Sequence, residues 1–381
     1  MTALKILLVT MVSMLPLYFW SSGGMQVAHI LLVLLIALVV VIDKFRFMVR
    51  NEDAVLITLF LFVLFREGYE VFLRSDIRSL WPALYLLFNL LAFNATRRLF
   101  FIDEMEKTFV IGLVVAALIA VAGVLFLGYG QVNMSGVRAV GSFNNPNQLG
   151  YFSVCLFSLS AIIFLSGRLG AHLFLLLVVI SLFLSTASLS KSAMISIVFG
   201  VLFSGFLFWG KVKGFFLGVV ILVVVLITGA VLLLSGKLDD YSFVTRLQGI
   251  GSQSDDSFEG RGYGVIVDEL TTSSLLFGRG SVHIGELVGH EIHSTLFSFF
   301  GNYGLVGGLL FAGFLFLWAG CVYREYGLVG VFVVVAPPML YGIAHNGSRF
   351  TIFWILLALS FSRLPGKDLG RFPGACSLKG G

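Results

Sequence analysis

The apolar residues of this chain are spaced in a way that leaves few folds open to it. They recur in runs long enough for a helix to cross a hydrocarbon layer, which takes about 20 residues. Candidate runs lie near 3–20, 27–42, 54–65, 79–95, 108–128, 149–167, 171–188, 192–209, 215–235, 294–320, 327–343 and 350–363. This pattern predicts an all-α polytopic membrane protein of about twelve transmembrane helices. The tenth run holds Gly301, Gly304, Gly307 and Gly308 and is expected to be broken, and the third and last are short. Composition supports this reading. Hydrophobic residues make up 58% of the chain and charged residues 12%, against about 25% charged in a typical soluble domain.

We find no internal repeat, low-complexity stretch or separate soluble domain. Residues 1–363 are expected to form a single transmembrane domain, with a long loop at about 236–292. Residues 364–381 are expected to be a disordered cytoplasmic tail. Lys5 and the first apolar run resemble the start of a signal peptide. However, "SSGGMQ" offers no small-residue cleavage site and the next run follows at once, so the segment reads as a first span. Cys155, Cys321 and Cys376 are too far apart for a metal-ligand motif or a disulfide framework. The net charge of +5 does not point to nucleic acid, because the basic residues are scattered over loops in the manner of the positive-inside rule.

That rule sets the sidedness. With the termini in the cytoplasm, Lys5, Lys44, Arg46, Arg50, Arg97, Arg98, Lys107, Arg168, Lys211, Lys213, Arg324 and the four basic tail residues fall inside. Arg66, Arg74, Arg78, Arg138, Lys191 and Arg349 remain outside, with Lys237, Arg246, Arg261 and Arg279 in the long loop, which counts little for orientation. The loop holding Arg66, Arg74 and Arg78 fits least well.

On this assignment the outer loops carry the unusual residues. "GSFNNPNQLGYF" (141–152) is polar and rich in turn formers. Pro146 disfavours helix at Asn145, so Asn147 is the expected N-cap of a helix starting at Gln148 or Leu149. A helix N-terminus suits a phosphate, and Arg138 lies close by; on spacing alone, a capped loop that binds nothing is the better fit. Lys191, in "SLSKSAM", stands at the outer end of the eighth run, where a lysine commonly snorkels to water. The long loop contains Arg246 and "FEGRGYGVIVDELTTSSLLFGRG", in which Arg261 precedes a short stretch, 265–270, able to form a helix on the membrane surface. Its acidic pairs, Asp239–Asp240 and Asp255–Asp256, lack partners at metal-ligand spacing. "HEIHSTLFSFFGNYGLVGG" places His293 where the loop re-enters the membrane, with His290 three residues earlier and no third ligand for zinc. "AHNGSRF" brings His345 and Arg349 to the same side. Together these segments predict an outward-facing pocket with cations, an imidazole and a helix N-terminus, suited to a lipid diphosphate.

These residues resemble the bacterial O-antigen ligases and the related O-antigen polymerases and protein O-oligosaccharyltransferases. "FNNPNQLGY", "SKSA", "GRGYG" with "LLFGRG", and "HSTLFSFFGNYGLVG" carry the resemblance, over roughly 138–355. The most specific part is His293, Ser294, Gly304 and Gly307 at the family's spacing. The resemblance implies a GT-C-like glycosyltransferase of the bacterial inner membrane that works without a metal or other cofactor. It would take a glycan from undecaprenyl diphosphate on the periplasmic face and pass it to a hydroxyl of lipid A–core or of another lipid-linked repeat. By the same resemblance, His293 is the base or acceptor-orienting group and Arg261 a diphosphate clamp. Lys191 stands where the family commonly has arginine, which keeps the charge and loses the bidentate fork. Arg138, Asn145, Asn147, Arg246 and Arg349 complete the expected substrate site. A transporter of lipid-linked glycans is the alternative of another class. It would call for paired ionisable residues near mid-membrane.

Overall fold

The computed structural model describes residues 2–20, 24–42, 50–102, 104–127, 129–133, 136–208, 263–268 and 272–362. The described chain is almost wholly helical. Its helices are α1 (Thr2–Ser13), α2 (Val27–Ile42), α3 (Asn51–Arg74), α4 (Trp81–Leu99), α5 (Met105–Ala122, continued by a wider π turn to Leu127), α6 (Pro146–Leu165), α7 (Ala171–Ser188), α8 (Lys191–Ser204), α9 (Tyr263–Asp268), α10 (Thr272–Phe277), α11 (Ser281–Val288), α12 (Thr295–Gly330), α13 (Ala336–Ala344) and α14 (Thr351–Phe361). A small antiparallel hairpin, β1 (Tyr129–Asn133) and β2 (Gly136–Ala139), joins α5 to α6 and pairs Gln131 with Arg138.

Four helical stretches among the described residues are long and apolar enough to cross a membrane: Met105–Leu127, Pro146–Leu165, Ala171–Ser188 and Thr295–Ala344. Shorter apolar helices are α1, α2, α8 and α14. Large side chains such as Phe65, Phe72, Phe126 and Phe316 point outward, each at least 74% exposed. Such an apolar exterior is costly in water, at about 25 cal/mol per Å2, and is compatible with a membrane protein. In α6, by contrast, 89% of the apolar window is buried. A helix that is hydrophobic all round belongs inside a bundle, and α6 is the central post on which α7, α8, α13 and α14 pack.

The stretch Thr295–Ala344 covers 50 residues. A straight helix of that length would be about 75 Å long. Yet the Thr295 hydroxyl donates to the His345 carbonyl at 3.1 Å, and the Ser294 hydroxyl to the Gly342 carbonyl at the same distance. The path must therefore reverse. It is broken at Gly304 (φ 63°, ψ −162°) and Gly327 (φ 68°, ψ −167°), a backbone region open essentially to glycine alone. Reversal at Gly304 alone would leave arms of roughly 14 and 60 Å that cannot meet. The turn is at Gly327, and Gly304 adds a bend near the start. The expected break in the tenth run is present, and that run and the eleventh form the two arms of a helical hairpin.

Other boundaries depart from the apolar runs. α1 stops at Ser13, short of the run's end at 20, and Pro16 follows, whose missing N–H cannot extend a helix. α3 continues to Arg74, well past the apolar run that ends at 65. Its added turns hold Arg66, Glu70 and Arg74, and Glu70 pairs with Arg66 at 2.7 Å and with Arg74 at 2.8 Å. Two of the arginines that fitted the outer side least well thus sit on a helix beside a carboxylate that offsets them. The run at 215–235 lies outside the described residues, as does most of the long loop. The described part of that loop is mostly helical, in α9, α10 and α11, with α9 beginning at Tyr263 rather than 265.

Candidate functional site

At one end of the bundle the helices enclose a cavity of about 560 Å3. α2, α4, α6, α12 and α14 all begin against it, so the positive ends of their backbone dipoles gather there. Four of the sequence-predicted residues line it: Asn145, Asn147, His293 and Arg349. His345 and Tyr341 of the hairpin's returning arm stand beside them.

The asparagine motif is built by its proline. Pro146 is the first residue of α6 and holds Asn145 extended (φ −152°, ψ 158°), which makes Asn145 the cap; its side chain accepts from the Gln148 N–H at 2.9 Å. The expectation of Asn147 as N-cap is therefore corrected by two residues. Proline at the first helical position is preorganised for helix rather than excluded from it. Asn147 is inside the first turn, and its side-chain oxygen accepts from Arg138 at 2.8 Å. The loop is tied to the end of the first helix: Ser142 donates to the Pro16 carbonyl at 2.7 Å and Asn144 to the Trp20 carbonyl at 2.7 Å.

Arg138 is buried and does not line the cavity. It stands one layer behind, bonding Asn147 and, at 3.0 Å, the Ser188 carbonyl at the end of α7. A guanidinium there satisfies a helix-terminal carbonyl left without an intrahelical donor. From this position it holds Asn147. Lys191 is not in the cavity wall either. It opens α8, which packs on α6 and α13, with Ser190 seated where a Cβ on Gly150 would stand 2.9 Å away. Arg246 and Arg261 lie outside the described residues. Tyr263, two residues after Arg261 in sequence, donates from its hydroxyl toward the His293 and Ile343 carbonyls, each at 3.1 Å, and so fastens α9 to both arms of the hairpin.

His293 is exposed at the mouth. His290 and His293 are not on a common helix; their rings stack at 4.9 Å with planes 7° apart. The His345 ring lies 6.3 Å from His293 and 5.0 Å from Tyr341, whose hydroxyl donates to the Asn147 carbonyl at 2.8 Å. Arg349 pairs with Glu291, and its carbonyl accepts from Tyr85. Burial in the wall lowers the Arg349 pKa, partly offset by Tyr85 and Tyr18. Its ion pair is nonetheless 44% and 49% exposed; such a pair is worth about 0–1 kcal/mol, so an incoming anion can replace Glu291 at little cost. Among the described residues no group of three or more His, Cys, Asp or Glu is placed to hold a metal ion.

Much of the lining was not foreseen. Tyr18, Trp81, Tyr85, Phe299, Tyr303 and Trp354 supply aromatic faces, and Asn89, Gln148, Asn302 and Asn346 supply amides. Asn302 and Tyr303 fall inside the His293–Gly304 motif and Asn346 inside "AHNGSRF", so those were within reach of the sequence. The residues from α1 to α4 had no local signal. No protein-family model matches the sequence, and neither does any curated protein.

Proposed function

We propose that this chain transfers a glycan from undecaprenyl diphosphate to an acceptor hydroxyl, with lipid A–core as the acceptor: an O-antigen ligase of the inner membrane. On this reading the cavity opens to the periplasm, both termini are cytoplasmic and the bundle has about twelve spans. The supporting observation is that Asn145, Asn147, His293 and Arg349, up to 204 positions apart in sequence, line one cavity with aromatic and amide side chains. Aromatic faces and amides suit sugar rings and their hydroxyls. The converging helix N-termini and Arg349 suit the diphosphate.

The reaction is a displacement at the anomeric carbon. The acceptor oxygen attacks, the bond to the diphosphate oxygen breaks, and negative charge builds on the leaving lipid diphosphate. Fixed cations and N–H dipoles in a poorly hydrated cavity stabilise that charge more than water does. Arg349, and Arg261 from the loop, are assigned to it. Losing one such contact costs roughly 3 kcal/mol, about a hundredfold in rate. His293 takes the acceptor's proton or orients its hydroxyl. A polymerase would use the same site with a lipid-linked repeat as acceptor. A transporter is less well supported, because the buried charges of α3 lie toward its two ends, Asp53 at one and Arg66, Glu67 and Glu70 toward the other, rather than near mid-membrane.

Deletion followed by a lipopolysaccharide gel separates these readings. Loss of a ligase removes capped lipopolysaccharide while polymer accumulates on its lipid carrier, and loss of a polymerase leaves a single repeat on the core. His293→Ala and Arg261→Ala are each expected to reproduce the deletion at normal protein level. Wild-type banding in both would refute the site.

A further inference from the structure

Behind the cavity wall lies a carboxyl group that the site description does not use. Glu67 of α3 is 0% exposed. Its Oε1 accepts from the Ser281 N–H at 3.0 Å and from the Tyr303 hydroxyl at 2.8 Å. Its Oε2 is buried with no hydrogen-bond partner, and among the described residues Glu67 enters no ion pair. Buried carboxyls normally answer to a cation; Arg66 acts on Glu67 through its charge alone, because its hydrogen bonds go elsewhere and its Nη1 has no hydrogen-bond partner. Arg66 bonds Glu70 and the Gly278 carbonyl, and Arg74 bonds Glu70, Glu286 and His283. Arg279 faces His283 at 3.3 Å. From α12 the facing group is Tyr303, and α4 carries no charged residue before Arg97 at its far end. Tyr303 and Ser281 both line the cavity. Two hydrogen bonds, from the Tyr303 hydroxyl and the Ser281 N–H, therefore link the wall to a buried carboxyl that has no ion-pair partner among the described residues, a setting that favours its taking up a proton.

We propose that Glu67 is the proton acceptor for the hydroxyl that reacts in the cavity, reached through Tyr303. This rests on the transferase reading above and removes an ambiguity in it, since His293 then orients the acceptor and Glu67 receives the proton. The acceptor hydroxyl donates to Tyr303 Oη. As its oxygen bonds the anomeric carbon and the bond to the diphosphate oxygen breaks, its proton passes to Tyr303 while the Tyr303 proton passes to Glu67 Oε1. The electron pair of the broken bond leaves on the diphosphate. Glu67 must be ionised at the start of each turnover, so the rate rises with pH through its titration.

The test uses the full chain in lipid vesicles, with undecaprenyl-diphosphate-linked glycan and lipid A–core as substrates, across a pH series. E67Q keeps the shape and both bonds to Oε1 and cannot take a proton. It is expected to melt with the wild type, to transfer about 100-fold more slowly, and to lose the rise with pH. Y303F is expected to be at least tenfold slower, and it decides the matter should E67Q fail to fold. Wild-type rate and pH profile in E67Q, or wild-type rate in Y303F where E67Q does not fold, overturns the assignment of Glu67 and leaves the transferase standing. Absence of transfer by the wild-type chain overturns both.

Discussion

The two ends of this bundle treat polar side chains in opposite ways. At the end away from the cavity, charges are placed against opposite charges. Arg97, 3% exposed, lies 2.6 Å from Asp53 and 3.0 Å from Glu52, and its guanidinium sits over the Phe93 ring. Lys5 pairs with Glu104 and Arg168 with Glu106. These contacts close the starts of α1, α3 and α5 against neighbouring helix ends. At the cavity end, amides, imidazoles and hydroxyls face a void, and Arg349 has an exposed, replaceable partner. Polar groups at the first end are paired with one another, whereas at the second end paired charges on α3 stand behind a wall of amides, imidazoles and hydroxyls that face the void. Polarity in an apolar chain therefore has two meanings, and only the partners distinguish them.

Substitutions can break this contrast. The largest expected effect is at the closed end. Arg97→Ala leaves Asp53 buried with no countercharge and is expected to cost about 3–5 kcal/mol of stability, read as a denaturation midpoint in detergent. A loss below about 1 kcal/mol would show the two ends to be alike. Next comes Asn145→Ala, which removes the α6 cap. It is expected to cost about 1 kcal/mol while transfer falls by more than that loss accounts for, because the same turn sets Asn147 in the wall. Equal losses in both would make Asn145 a structural residue only. The smallest effect on folding belongs to Glu291→Gln, under about 1 kcal/mol. It is expected to tighten binding of inorganic pyrophosphate several-fold in a calorimetric titration by releasing Arg349. Unchanged binding would mean that Arg349 does not face the anion.

The sequence spoke clearly about helices and less clearly about their ends. The run 171–188 coincides with α7 because nothing at its margins competes with the apolar signal. The boundary of α3 was misread because Arg66, Glu67, Glu70 and Arg74 look like loop residues until Glu70, Ser281 and Tyr303 are seen to satisfy them. The glycines of the tenth run announced a break, and the motif around Asn145 and the His293 segment both supplied residues to the cavity wall. Arg138 was drawn toward that site by its charge and Lys191 by the resemblance, and neither signal says which layer a side chain occupies. Tyr18, Tyr85, Asn89 and Glu67 were invisible, since facing a void or a neighbour is a property of packing and leaves no mark on local pattern.

The hairpin reversing at Gly327 has a consequence for how the protein is made. Its two arms deliver His293 and His345 to the same wall, which also needs Tyr18 from the first-synthesised helix region and Trp354 from the last described one. A ribosome must therefore finish nearly the whole described chain before any enclosed chamber exists. Transfer of the kind proposed therefore has to await a chain complete as far as α14.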